Sequence, residues 1–195
     1  MATNSEKEDL QRYLQAAREA LVWKLDGLSE YDIRRPMTRT GTNLLGLVKH
    51  MIGVELGYFG PTFGRRVPDL PAWLRSEELN VDMWARADES SVDIVETYRR
   101  TWAFADATIE EHDLDAPGFV KHWPEDRRDV TLHRILVHVV TEIHRHAGHA
   151  DIVRELIDGA AGMKAGDNNL APGDEAWWAE YNDRLETAAR EAHHA

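Results

Sequence analysis

Cysteine is absent from all 195 residues. Disulfides, thiolate metal ligands and a protein thiol nucleophile are therefore excluded. Long apolar runs are also missing, since nothing approaches the ~20 residues of a membrane span. Positive charge is in deficit, with 23 Lys and Arg against 35 Asp and Glu and a net charge of −12. Such a surface repels phosphate backbones and anionic lipid headgroups, so neither nucleic acid nor a membrane is expected as a partner. The opening Met1-Ala-Thr-Asn-Ser-Glu6 is polar and has no apolar signal core, which points to a cytoplasmic protein. Strand signals are nearly absent too: there is no run of alternating β-branched residues and no Asn-Gly hairpin turn.

Helical spacing is abundant. Leu10, Leu14, Ala17, Leu21, Leu25 and Leu28 step by three or four residues, the stripe of an amphipathic helix. A second helix is expected from Thr42-Asn43 to about Tyr58. A third follows Asp88-Glu-Ser-Ser, carries Val95, Tyr98, Trp102, Ala105 and Ile109, and ends by Asp115-Ala-Pro-Gly. The fourth is long, from about Thr131 to Asp158, with Gly159 as its stop. A last helix, near Asp174 to Ala192, carries Trp177, Trp178, Tyr181 and Leu185. The expectation is an all-α fold. It is a four-helix bundle with long inter-helix connections and one extra C-terminal helix, forming a single domain over residues 1–195. The terminal helix either covers the bundle or meets a partner, so truncation after Pro172 is expected to destabilise the fold or a dimer. Long ordered connections are often functional, and Tyr58, Phe59, Trp73 and Trp84, on or near the one after the second helix, are candidates to wall a pocket.

Five of the ten histidines fall between His133 and His149, on the fourth helix. At about 100° per residue, with His138 as origin, His149 falls near 20°, Glu142 near 40° and His146 near 80°. These four make one polar stripe beside the core-facing seam of Leu136, Val139, Ile143, Ala147 and Ala150. Glu142 and His146 stand four apart, the spacing by which one helical face offers two ligands to one ion. A third ligand must come from elsewhere, and His50 on the second helix is the best candidate. Gly46, Gly53 and Gly57 lie within about 60° of it on the wheel. Glycines inside a helix cost about 0.5–1 kcal/mol each relative to alanine. Either another helix packs closely there or a groove beside His50 is kept open. The competing reading is structural: an acid–imidazole pair on a helix surface is commonly worth only a few tenths of a kcal/mol. His193 and His194, at the frayed end, are not expected to be ligands.

Two segments, Leu47-Val-Lys-His50-Met-Ile-Gly-Val-Glu55 and Glu142-Ile-His-Arg-His146-Ala-Gly-His149-Ala-Asp151-Ile-Val-Arg-Glu155, resemble the two metal-site motifs of the DinB-like superfamily. Within it the chain is most similar to an actinobacterial group related to the metal-binding domain of mycothiol-dependent maleylpyruvate isomerase. Asp82-Met-Trp84-Ala, Tyr98-Arg-Arg and Ile157-Asp-Gly159 fit the same pattern. The resemblance implies a four-helix bundle, often homodimeric, with a divalent ion held by His50, Glu142 and His146. His138 and His149 are then pocket residues around the ligands, although His149 stands where many relatives carry glutamine. Glu55 fits the pattern, but its wheel position, near 140° from His50, makes it a structural partner for an arginine. The isomerase has a second, C-terminal domain that contributes to its active site. With the chain ending at Ala195, maleylpyruvate isomerisation itself is not expected.

Two imidazoles and a carboxylate leave a coordination position open. Zinc is the expected ion, but the donor set also suits iron or nickel and does not choose among them. The resemblance implies a low-molecular-weight thiol such as mycothiol, its pKa lowered by the metal, attacking a small electrophile. Arg145, near −20° on the wheel, is a candidate partner for an anionic substrate. Another metal enzyme on the same site, hydrolytic or iron-dependent, and a non-catalytic metal-binding bundle are the alternatives.

Overall fold

A computed structural model describes residues 5–193. The described residues are mostly helical, with six α-helices: α1 (Glu6–Trp23), α2 (Glu30–Arg34), α3 (Leu44–Phe59), α4 (Ser91–Glu111), α5 (Leu132–Asp158) and α6 (Glu175–His193). The helix starts follow the sequence signals. Ser5 closes a capping box with Glu8, Asn43 accepts from the Gly46 amide, and Ser90 and Thr131 cap α4 and α5. Gly159 ends α5 in the left-handed region at φ 79°, where a side chain would be strained.

Two expectations about local structure are corrected. The first apolar stripe does not continue as one helix to Leu28. α1 ends at Trp23, Gly27 turns the chain at φ 75°, and Ser29 starts the short α2. The connection after α4 is not strand-free. Pro117–Phe119 (β1) pairs antiparallel with Asp129–Thr131 (β2), in register Gly118 to Val130. Three-residue strands are too short to show a two-residue period, so the sequence gives no warning of them.

α3 packs against α4 and α5, and α1 packs against α5 and α3. Leu14, Leu21, Leu45, Val48, Met51, Tyr98, Ile109, Leu136, Val139 and Ile143 are buried in one apolar core. A fully buried side chain of this kind is worth about 1.5–3 kcal/mol. Polar groups are locked into the same core. Arg18 Nη2 donates to Glu55 Oε2 at 2.6 Å, Tyr98 Oη donates to Glu55 Oε1 at 3.0 Å, and Arg18 Nη1 donates to Asp106 at 2.7 Å. Glu55 is thus the arginine partner its wheel position indicated. α6 behaves differently: it has no buried residue, and the rings of its Trp177, Trp178 and Tyr181 pack on one another. Among the described residues no helix is long and apolar enough to cross a membrane. His194 lies outside the described residues.

Candidate metal centre

α3 and α5 bring His50, Glu142 and His146 together. One donor atom from each lies within 4.8 Å of the other two, so the group can hold a metal ion. The i,i+4 spacing on α5 places Glu142 and His146 one turn apart on one face. α3 lays His50 against them: its Nε2 is 3.6 Å from Glu142 Oε1, and its ring centroid is 4.9 Å from that of His146.

His50 is oriented by a residue to which the sequence assigned no role. Asp82 Oδ2 is 2.6 Å from His50 Nδ1. A proton on Nδ1 then donates to Asp82 and turns the Nε2 lone pair toward Glu142. That is the carboxylate–histidine arrangement that holds metal-binding imidazoles in place. It also sets a lone pair opposite a carboxylate, an arrangement that needs a cation between the two. Either a proton or a metal ion satisfies it. Burial is the largest single influence on His50 and opposes its charge, but hydrogen bonds and attraction from Glu142 and Asp82 outweigh it, so the His50 pKa is raised. The His50 hydrogen bond, together with His138 and His146, holds the Glu142 carboxyl below its usual range despite burial. Burial, followed by the charge on His50, pushes His146 down to about 4. Its Nδ1 is buried with no hydrogen-bond partner among the described residues. A neutral imidazole, an ionised carboxylate and an imidazole with its lone pair turned inward are a chemically fitting set for a divalent ion.

Asp82 reaches the site because its loop is pressed onto α3. A Cβ at Gly46 would lie 1.9 Å from the Met83 carbonyl oxygen, so only glycine permits that approach. Asn43 Nδ2 donates to the same carbonyl at 3.0 Å, and the buried Lys49 donates from Nζ to the Trp84 carbonyl and to Glu89, each at 2.9 Å. The three glycines beside His50 therefore differ in purpose. Gly46 admits a loop rather than a helix, Gly53 faces Trp73 and Leu74, and Gly57 faces open space.

The other expected residues surround the group unequally. His138 Nε2 stands 3.4 Å from Glu142 Oε2. The His149 ring is 5.5 Å from that of His146, and His149 is exposed. Arg145 is exposed and acts on His146 through its charge. Of the four aromatic residues proposed as pocket walls, Tyr58 has the position, with its ring 4.7 Å from that of His138. Phe59 is buried in the core, and Trp73 packs on Gly53 and Lys49. Trp84 is half exposed and contributes its backbone carbonyl. Trp123, from the β1–β2 loop, was missed. It donates from Nε1 to Tyr58 Oη at 3.1 Å, and its ring lies 5.0 Å from His138. Gly118 lets that hairpin sit against Thr62 and Phe63, just beyond α3, which carries Trp123 to the site.

The sequence model of the mycothiol-S-transferase family matches residues 9–159. The chain belongs to this family. The match runs from α1 to the glycine that ends α5, so it contains every residue of the candidate metal centre and leaves α6 outside. No curated protein matches the chain. Membership of a mycothiol-S-transferase family implies a thiol cosubstrate and a small-molecule acceptor.

Proposed function

We propose that the protein is a metal-dependent mycothiol S-transferase, built on a DinB-like four-helix bundle of α1, α3, α4 and α5. The ion, zinc by preference, is held by His50, Glu142 and His146. The observation that carries the reading is this donor set, with Asp82 fixed behind His50, inside the segment that matches the family. When bound, zinc lowers the pKa of a thiol so that the thiolate exists at neutral pH.

The chain's own residues orient and enclose. Asp82 holds the His50 ring by its Nδ1 proton, and His138 faces the second Glu142 oxygen. Tyr58 and Trp123 wall the side next to His138. Burial keeps the Tyr58 phenol above its ordinary pKa. Its oxygen accepts from Trp123 while its own proton stays available to a bound molecule. The thiolate sulfur attacks the electrophilic carbon, a C–S bond forms, the leaving group departs with its electron pair, and the thiol proton passes to solvent. The chain supplies no sulfur nucleophile, in keeping with its lack of cysteine. α6 presents an uncovered aromatic stripe, and we assign it to contact between two copies in a homodimer.

The test is consumption of a fluorogenic bimane electrophile with mycothiol, by wild type and by His50→Ala, Glu142→Ala and His146→Ala. Metal content is measured by elemental analysis of the same samples. The expected result is about one ion per chain, thiol-dependent turnover, and loss of both in each folded variant. Turnover that survives in the metal-free variants refutes the reading.

A further inference from the structure

Beside the metal centre lies a cavity of about 510 Å³, walled by Trp123, Pro124, Val137 and His138 and rimmed by Arg127 and Arg134. No acidic residue lines it, although the chain carries a net charge of −12. Neither arginine has an ion pair or a side-chain hydrogen bond among the described residues. Arg134 instead lies over the Trp123 ring, 5.2 Å from its centroid. The inner wall, His138, is the side chain that stands 3.4 Å from Glu142. Two unneutralised guanidinium groups, a flat indole and an apolar floor therefore converge one side chain away from the metal ligands. A guanidinium presents donors in a planar fork that matches a carboxylate, and stacking on an aromatic ring fixes the plane of that fork. The indole and the Val137 methyl groups suit a flat apolar body.

We infer that this cavity is the acceptor subsite, and that the preferred electrophile is a small, flat molecule bearing a carboxylate, bound by Arg127 and Arg134 with its reactive carbon toward Glu142. The inference rests on the transferase reading for its chemistry but not for its binding. The cavity does not suit the thiol equally: mycothiol, whose cysteinyl carboxyl is in amide linkage, offers no carboxylate to the arginine pair.

The experiment uses a matched pair of probes, 4-(bromomethyl)benzoate and 4-(bromomethyl)benzamide, with mycothiol as the nucleophile. In either reaction the thiolate sulfur bonds to the benzylic carbon, the C–Br bond breaks, bromide leaves with the bonding pair, and the thiol proton goes to buffer. Wild type is expected to favour the carboxylate probe in kcat/KM by about tenfold or more, the scale of one charge-assisted hydrogen bond. In the double variant Arg127→Gln/Arg134→Gln the preference should collapse toward one, through KM of the carboxylate probe. Benzoate binding, followed by calorimetry without any thiol, gives a second readout independent of turnover. Benzoate binding that is lost in the double variant, without thiol-dependent turnover in wild type, supports the subsite and refutes the transferase reading. Turnover with no preference between the probes and no benzoate binding overturns the subsite and leaves the transferase reading intact. A rise in KM for mycothiol rather than for the carboxylate probe also overturns it, since the cavity would then belong to the thiol.

Discussion

At the scale of single residues, a proton and a metal ion would compete for the proposed site. His146 is neutral above about pH 4, the Glu142 carboxyl is held below its usual range, and His50 keeps its proton to higher pH than an ordinary imidazole, because Glu142 and Asp82 outweigh the opposing effect of burial. Metal binding should therefore displace one proton. Zinc affinity is expected to fall about tenfold per pH unit below the His50 pKa and to level off above it. Competition with a chromophoric chelator between about pH 5 and 8 measures this. A flat profile, or a hundredfold loss per unit, would contradict the proton assignment. The same geometry makes Asp82 testable. Asp82→Ala removes no ligand but frees the His50 ring, and a loss of about 10–100-fold in metal affinity is expected. An unchanged affinity would show that Asp82 does not orient the ligand. Asp82 lies 32 residues from His50 in the chain. Its place in the motif Asp82-Met-Trp84-Ala was visible in the sequence. Its role was not, because no local periodicity links a loop residue to a helix face.

At the scale of elements, the loop carrying Asp82 and the α3 face beneath it form one unit. Gly46→Ala would drive a methyl group into the Met83 carbonyl and push the loop away. The expected outcome is weakened zinc binding with every ligand still present, read by the same chelator competition. Gly57→Ala is the contrast. It faces open space within α3, so it should leave metal affinity unchanged and stabilise the helix by about 0.5–1 kcal/mol, measured by denaturant unfolding. If both substitutions behaved alike, close approach at Gly46 would not be the reason for its glycine. From the sequence alone the three glycines were equivalent, since a helical wheel gives direction but not what lies opposite. Glu142 and His146 were legible for the opposite reason: a four-residue step on a rigid helix fixes both spacing and facing.

At the scale of the whole molecule, the buried Arg18–Glu55 pair joins α1 to α3, and Tyr98 ties in α4. Glu55→Ala leaves a buried guanidinium without its main partner, and a loss of about 3–5 kcal/mol in unfolding free energy is expected. Chemical denaturation would check it, and a loss below about 1 kcal/mol would show that the pair is bypassed by other groups. α6 stands apart from this core. Truncation after Pro172 is expected to leave the melting temperature of the remaining chain unchanged, because no α6 residue is buried, while lowering the mass in solution if two copies meet there. A fall in melting temperature of a protein that is monomeric throughout would show that α6 covers its own core.

By itself the sequence determined the helical class, the starts of α3 and α4, the Gly159 stop, the pairing of Glu142 and His146 on one face of α5 and the candidacy of His50. Each rests on spacing within one helix or on a local capping signal, and such interactions act over a few residues. Only the tertiary structure decided which loop closes over His50, that Trp123 rather than Phe59 or Trp73 meets Tyr58, and that two arginines rim a cavity next to the proposed ligands. Those pairings join distant segments, 65 residues apart for Trp123 and Tyr58, through packing of connections that carry no periodic signal.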